Sequence, residues 1–357
     1  ASLFTALVVT RLIFDFMLSK NLMKSMPMLH FFRVSKLDFM RLAKPAFVIS
    51  WLVIIIGLGY GIHRGKDAMS IDFVGGDSVT LAFDKKVEVD KLRDTIAKLG
   101  VGDVMIQYQQ ELTGGTETLR VTSRALDVDK KAGGAPTQRI EEALAKNYPE
   151  AKFREISRDQ VGATVGKEIQ KTAIVASLLS LLGILIYVAF RYEFSFAVGA
   201  VVAVVHDVLM TLGWYFLSGR ELNAPMMAAV LTIIGFSIND TIVIFDRIRE
   251  DLKLGVRGSF RDIVNQALNQ TLSRTIITSG TVFLATASLY LFGGGGINDF
   301  AFTFLVGIIT GTYSSIYIAS ALVLWWHKGE RPKIGAGAIA VSSEDKLPPV
   351  KASTVRA

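Results

Sequence analysis

Long apolar runs alternate with charged segments along the chain, and these runs are long enough to cross a membrane. A helix needs about 20 apolar residues to span a hydrocarbon core of roughly 30 Å. Six runs reach or approach that length, at 44–62, 171–190, 194–217, 225–245, 272–292 and 300–326. The pattern predicts a polytopic α-helical membrane protein with six complete spans. A shorter apolar run opens the sequence at 1–18, and we expect it to be the end of a preceding membrane helix.

A polar stretch at 63–170 separates the first span from the second. Its alternating and helix-spaced apolar positions predict six elements in the order strand, helix, strand, strand, helix, strand. We place them at 78–83, 89–99, 104–108, 118–122, 140–148 and 153–156. This order is that of the split βαβ, ferredoxin-like fold. We therefore expect residues 63–170 to form one small water-exposed domain, a fold that by itself identifies no function.

The positive charge of the chain lies beside the predicted spans. The formal net charge is +7, and Lys and Arg are concentrated in the segments 19–43, 246–270 and 328–357. Short loops rich in Lys and Arg stay in the cytoplasm, so we expect these segments to be cytoplasmic. Residues 63–170 then lie on the outer face. The polar end of the last segment is expected to be disordered.

The composition argues against several kinds of site. The chain has no Cys, and its four His are scattered without the spacing of a metal site. Gly162, Gly166 and Lys167 resemble a phosphate-binding loop, but Glu168 stands where Ser or Thr would coordinate magnesium. We therefore expect no metal, cofactor or bound nucleotide. We also expect neither a soluble enzyme nor a nucleic-acid-binding protein, because the basic residues flank membrane spans.

Asn239 and Asp240 lie inside the fourth predicted span. An ionisable side chain near the bilayer centre costs several kcal/mol, so it usually faces protein or water and often has a function. Two interpretations of Asp240 remain open on these grounds. It is either a carboxylate that takes up and releases a proton, or a structural carboxylate that pairs with a neighbour and never titrates.

Arg274 lies near the start of the fifth predicted span. It begins a series of small and polar residues at spacings of four, three, four and three, which places them on one helical face. The series is Arg274, Thr278, Thr281, Ala285 and Ser288. Such a face is typical of a helix–helix interface in a membrane. We expect Arg274 to point into the bundle toward Asp240; the alternative is a side chain that only extends to the cytoplasmic rim.

His206 and Asp207 lie midway along the third predicted span. A histidine inside a membrane is suited to relaying protons, whereas a satisfied structural pair is the simpler alternative. Two pairs of glycines at a spacing of four predict close contacts between helices elsewhere in the bundle. These pairs are Gly57 with Gly61 and Gly307 with Gly311.

Several segments together resemble one family of membrane proteins. They are 73–76, 206–213, 237–250, 268–280, 291–294 and 307–321. These segments resemble the SecF family, whose members form the smaller half of SecDF protein-export complexes in the RND superfamily. The resemblance covers about 40–327. Residues 1–18, which include Thr10 and Arg11, resemble the last helix of SecD.

The resemblance implies a fold, a function and a site. The fold is a six-helix RND-type bundle in the bacterial inner membrane, with residues 63–170 in the periplasm. Members of the family use the proton gradient to promote polypeptide export, and the resemblance puts the proton pathway on Asp240 and Arg274. The supporting candidates are Asn239, His206, Asp207 and Thr278. The implied partners are the SecD half, the SecYEG channel with SecA, an unfolded secretory polypeptide and the lipid bilayer.

Two alternatives belong to other functional classes. One is an RND-type proton-coupled exporter of small molecules, but such exporters carry larger outer domains than a single βαββαβ unit. The other is a non-conducting scaffold for the translocon, in which the charged residues of the spans are structural. Titration or transport data would distinguish this scaffold from a proton-driven subunit.

Overall fold

The computed structural model describes residues 4–20, 37–101, 104–109, 117–124 and 136–332. Most of the predicted cytoplasmic segments 19–43 and 328–357 lies outside the described residues. The predictions made for those segments, including the disordered tail, stay predictions.

Ala1–Ser35 belongs to a unit of its own. The described part of this unit is helical, with a π-helical turn at Thr5–Val9 followed by the helix α1 at Thr10–Ser19. No residue of α1 is buried, and its apolar side chains are exposed. The apolar run that opens the sequence is therefore helical over its described residues.

The first long helix, α2 at Phe39–Arg64, leads into the small domain expected at 63–170, which we call the outer domain. This domain begins with a short helix, α3 at Ile71–Val74, which the sequence pattern did not predict. Six elements follow: β1 at Gly76–Ala82, α4 at Val89–Ala97, β2 at Val104–Gln109, β3 at Thr118–Arg124, α5 at Pro136–Asn147 and β4 at Arg154–Val161. The predicted order of strands and helices is confirmed.

The four strands form one antiparallel sheet in the order β2-β3-β1-β4. Val79 at the centre of β1 lies opposite Val121 of β3 and Arg158 of β4. The apolar sides of α4 and α5 pack on this sheet, because burying them removes apolar surface from water. The core consists of Val79, Leu81, Leu92, Ile96, Val101, Ile106, Leu119, Val121, Ile140 and Leu144. This strand order confirms the ferredoxin-like prediction.

Five more long helices complete the bundle. They are α6 at Ala163–Arg191, α7 at Phe194–Leu217, α8 at Ala224–Lys253, α9 at Phe260–Phe292 and α10 at Gly295–Ser314, which continues through a π-helical turn at Ser315–Ala319 into α11 at Ser320–Trp326. The described residues thus contain six helices of membrane-spanning length and apolarity, as predicted. The predicted loop 246–270 is mostly helical, because α8 and α9 continue past their apolar runs and leave only 254–259 between them.

Both glycine pairs lie where helices touch. A Cβ atom on Gly57 would lie 2.6 Å from the backbone oxygen of Gly213 in α7, and one on Gly311 would lie 3.2 Å from Ser237 Cβ in α8. The other two contacts pair Gly61 with Phe216 and Gly307 with Ile233. Small residues thus let α2 approach α7 and let α10 approach α8, as the spacing predicts.

The outer domain is attached to the bundle through a short backbone pairing. Ser70 N donates to Leu222 O over 2.9 Å, and Leu222 N donates to Ala68 O over 2.8 Å. The carboxylate of Asp72 in α3 also accepts a hydrogen bond from Ala224 N over 2.8 Å, at the start of α8. The connection between α7 and α8 is therefore bonded directly to the segment that opens the outer domain.

Gly166, which resembles part of a phosphate-binding loop, has a packing role. It lies in α6 against α3, where a Cβ atom would be only 2.9 Å from Phe73 O. Gly162 precedes the helix as its N-cap. These contacts account for glycine at 166 without a bound nucleotide.

Candidate functional site

Asp240 lies in α8 with only 3% of its surface exposed. Ser279 Oγ from α9 donates a hydrogen bond to Asp240 Oδ2 over 3.2 Å. Thr312 Oγ1 from α10 lies 2.8 Å from Ser279 Oγ and can donate to it. A hydroxyl group both donates and accepts hydrogen bonds. The carboxylate and the two hydroxyls therefore link three helices. These groups can pass a proton, and they also orient Asp240.

Arg274 lies on the exposed side of α9. Its positive charge acts on Asp240 electrostatically, although the two side chains form no ion pair in the described part of the chain. The helical face predicted to pack inward is exposed at Arg274, Thr281, Ala285 and Ser288. The buried side of α9 instead carries Thr271, Thr275, Ser279 and Thr286. The prediction that the Arg274 face packs into this bundle is therefore wrong for the described chain.

Two of the supporting candidates, Asn239 and Thr278, are not brought to the carboxylate. Consecutive residues of an α-helix point about 100° apart, so each lies on a different side from its buried neighbour. Asn239 is exposed beside Asp240, and Thr278 is half-buried beside Ser279. Periodicity failed here because α9 carries small polar residues on two adjacent sides. Only the packing of α9 on α8 decides which side meets Asp240.

Asp207 lies fully buried in α7 at the centre of a second polar cluster. Its Oδ1 is 3.1 Å from His206 Nδ1. Its Oδ2 accepts hydrogen bonds from Ser237 Oγ of α8 over 2.5 Å and from Ser314 Oγ of α10 over 2.6 Å. These bonds tie three helices together, which is the geometry expected of a satisfied structural carboxylate.

His206, by contrast, is only partly satisfied. Its Nε2 is buried and has no hydrogen-bond partner among the described residues. The ring centroid lies 6.2 Å from that of Trp51 and 6.4 Å from that of Tyr313. Trp51 Nε1 is likewise buried without a partner. Buried polar atoms without partners are uncommon in proteins, so the proton-relay and structural interpretations of His206 both stay predictions.

The two polar clusters share α8 and α10. Ser237 precedes Asp240 by three residues in α8, and Thr312 precedes Ser314 by two in α10. The helix then changes to a π-helical turn at Ser315–Ala319, immediately after Ser314. Single π-helical turns inside α-helices frequently occur at functional sites. A shift of α8 against α10 would therefore act on both carboxylates.

The hydroxyl groups that contact the carboxylates were missed by sequence reasoning. They are Ser237, Ser279 and Ser314, and Thr312 is bonded to one of them, Ser279. Ser and Thr are common in membrane helices, where they often bond to their own backbone, so their presence alone points to no site. No group of three or more His, Asp or Glu side chains is arranged for a metal within the described ranges.

The described residues form six membrane-length helices that enclose the carboxylates of Asp207 and Asp240. One ferredoxin-like domain is bonded to the connection between α7 and α8. These features define a polytopic membrane protein with ionisable side chains in its bundle. The family described as "Protein export membrane protein SecD/SecF, C-terminal" matches residues 140–329. The chain belongs to this SecD/SecF family.

Relatives and solved structures agree with this membership. The chain is 44% identical over 291 residues to Protein translocase subunit SecF of Calditerrivibrio nitroreducens, which covers 81% of this chain and 93% of that protein. It is 38% identical over 293 residues to Protein translocase subunit SecDF of Thermus thermophilus, covering 82% of this chain but 38% of that protein.

The fold is similar to that of a solved SecDF. The crystal structure described as SecDF, a translocon-associated membrane protein, from Thermus thermophilus matches with a TM-score of 0.79 and 35% identity. The match covers 92% of this chain and 43% of that one. A structure of SecDF in a form called super-membrane-facing matches with a TM-score of 0.67. The chain thus spans less than half the length of the SecDF proteins that it matches.

Proposed function

We propose that the chain is an accessory subunit of the Sec protein translocase that uses the proton gradient to promote polypeptide export across the bacterial inner membrane. Membership of the SecD/SecF family and relatives named as protein translocase subunits support the export role. One observation carries the proton-coupled part. It is the hydrogen-bonded series of Asp240, Ser279 and Thr312, a buried carboxylate joined to hydroxyl groups inside a membrane bundle.

In this proposal Asp240 takes up and releases the proton, and Arg274 supplies a fixed positive charge near it. Burying an ionised carboxylate is costly unless hydrogen-bond donors or a cation compensate its charge. Ser279 provides a donor and Arg274 provides the charge, so Asp240 can exist in both protonation states. One charge crossing the membrane potential is worth about 2.3 kcal/mol per 100 mV, which is available to move the outer domain.

A SecD-like half is the proposed partner on the exposed side of α9. Polar and ionisable groups inside a membrane face protein or water rather than lipid. Arg274, Thr281 and Ser288 are exposed on this side, so they need such a cover. The SecDF relative, which is much longer than this chain, supports a second half as the cover. We assign residues 1–18 to the last membrane helix of that half.

The remaining partners follow from the same role. The basic segments of the chain support a periplasmic position for residues 63–170. There the outer domain would meet an unfolded secretory polypeptide delivered by the SecYEG channel with SecA. The small size of this single βαββαβ domain favours polypeptide export over small-molecule export. No catalytic reaction, cofactor or nucleic acid enters the proposal.

Precursor export in cells depleted of their own SecDF tests the proposal. Asp240→Asn keeps the size of the side chain but cannot release a proton, and Arg274→Met removes the fixed charge. Each change in the full SecDF is expected to abolish export support at normal membrane levels. The double variant should lose little more, because both residues act in one step.

Asp94→Asn is the matched control, because this carboxylate is exposed in α4, outside the bundle. It should support export normally. Normal export by a well-expressed Asp240→Asn variant would contradict proton coupling and establish the scaffold alternative.

A further inference from the structure

The connection between α7 and α8, residues 218–223, carries a half-buried carboxyl group where the outer domain meets the bundle. Oε1 of Glu221 is buried and has no hydrogen-bond partner among the described residues. Tyr215 Oη donates to Glu221 O over 3.0 Å, which holds the backbone of the connection against α7. The neighbouring Leu222 makes the backbone pairing with the outer domain described above. The carboxyl group therefore lies at the attachment point itself.

The positive charges of three arginines act on this carboxyl group: Arg120 and Arg124 in β3, and Arg64 at the end of α2. Arg64 also binds the connection, because its Nη1 donates to Arg220 O over 2.7 Å. Both the bundle and the outer domain thus contribute arginines whose charge acts on Glu221.

Acidic groups also face the same junction. Arg124 forms an ion pair with Asp67 at 2.6 Å. Asp299 at the start of α10 adds a negative charge near Glu221 and is bonded to Arg220 and Asn223. The carboxylate of Asp72 is occupied by Ala224 N. Glu221 is distinguished from these carboxylates by its buried oxygen without a partner.

Burial raises the pKa of the Glu221 carboxyl, and this effect outweighs the lowering by the three arginines. A carboxyl group with a higher pKa in the docked domain than in a released one gains a proton on docking. Docking is therefore most stable below the pKa of free Glu and weakens as the pH rises through the raised pKa. The burial of a charged oxygen without a partner gives the physical reason.

We propose that Glu221 is a proton-binding site on the outer side of the membrane, and that its protonation tightens the docking of the outer domain on residues 218–223. The neutral carboxyl fits the buried site, whereas the ionised form favours release of the domain toward water. An acidic outer compartment would thus hold the domain on the bundle. This site requires no proton to cross the membrane, so it is independent of proton transfer at Asp240.

Hydrogen exchange of the whole chain in lipid nanodiscs tests the proposal. The amides of Ser70, Leu222 and Ala224 report docking, because they donate to Leu222 O, Ala68 O and Asp72 Oδ2. After correction for intrinsic exchange rates, their protection should rise as the pH is lowered from about 8 to about 4.5, the ordinary pKa of Glu. The docking equilibrium can change by up to about tenfold for each unit by which docking raises the pKa. Unchanged protection in the unmodified chain would overturn the proposal without any variant.

Three variants identify the group that is responsible for the pH dependence of amide protection. Glu221→Gln, a neutral mimic, should give high protection at both pH values. His63→Gln should keep the pH response, because His63, in the last turn of α2, is not the proposed proton-binding group. Asp240→Asn should also keep it, which separates this site from the proposed export mechanism. A pH response that survives in Glu221→Gln, or disappears in either of the other variants, would assign the effect to another group and refute the proposal.

Discussion

Ser279 Oγ donates a hydrogen bond to Asp240 Oδ2 over 3.2 Å and thereby joins α9 to α8 at the buried carboxylate. Thr312 extends this contact to α10. Few other groups compensate the negative charge of Asp240, because Arg274 acts on it without a direct ion pair. The hydroxyl of Ser279 is therefore the direct contact through which the proposed protonation of Asp240 would be controlled.

We predict that Ser279→Ala impairs export while Thr278→Ala does not. A hydrogen bond to a charged group contributes about 1.5–3 kcal/mol, so its loss changes the protonation equilibrium of Asp240 about tenfold or more. Thr278 is the matched control, since it is the adjacent small hydroxyl residue on another side of α9. Precursor export at equal membrane levels is the measurement. Equal loss in both variants would contradict the role of the Ser279 contact.

We predict that Asp207→Ala lowers the stability of the bundle more than Asp207→Asn. Alanine leaves the buried hydroxyls of Ser237 and Ser314 without their acceptor, at about 1–3 kcal/mol for each unsatisfied group. Asparagine keeps an acceptor oxygen of similar size. Thermal unfolding in detergent measures the difference. Full stability of both variants together with lost export would instead put Asp207 in the proton pathway.

We predict that Gly57→Ala destabilises the bundle by about 1–3 kcal/mol, because the new methyl group would overlap the backbone of Gly213 in α7. Gly59→Ala is the control in the same helix, since a Cβ atom there meets nothing within 4 Å. It should leave stability unchanged or raise it slightly, because alanine favours helix. Unfolding midpoints in detergent compare the two. Similar midpoints for both variants would disprove the close contact of α2 with α7.

We predict opposite sides of the membrane for Asp90 in the outer domain and Arg257 in the connection 254–259. The chain has no Cys, so a single introduced Cys reports its own side. Both positions are exposed. A membrane-impermeant maleimide should label Asp90→Cys in intact spheroplasts and Arg257→Cys only after lysis. Labelling in the reverse order would invert the proposed topology.

The six membrane helices and the ferredoxin-like order of the outer domain could be predicted from local sequence patterns. Both follow from local rules, since a bilayer sets the length of an apolar run and a sheet sets an alternation of period two. The charged residues Asp207, Asp240 and Arg274 were found for a similar reason, because a charge inside an apolar run is conspicuous whatever the fold.

Helix packing determines which polar side of α9 meets Asp240, and the residue that contacts it is Ser279 rather than one on the face of Arg274. The tertiary structure also determines that Ser314 of α10 contacts Asp207, and that Glu221 faces arginines from two parts of the chain. These contacts join residues far apart in sequence, where helical periodicity carries no information. They depend on how whole helices pack, which is set by the sum of many side-chain contacts and not by any single motif.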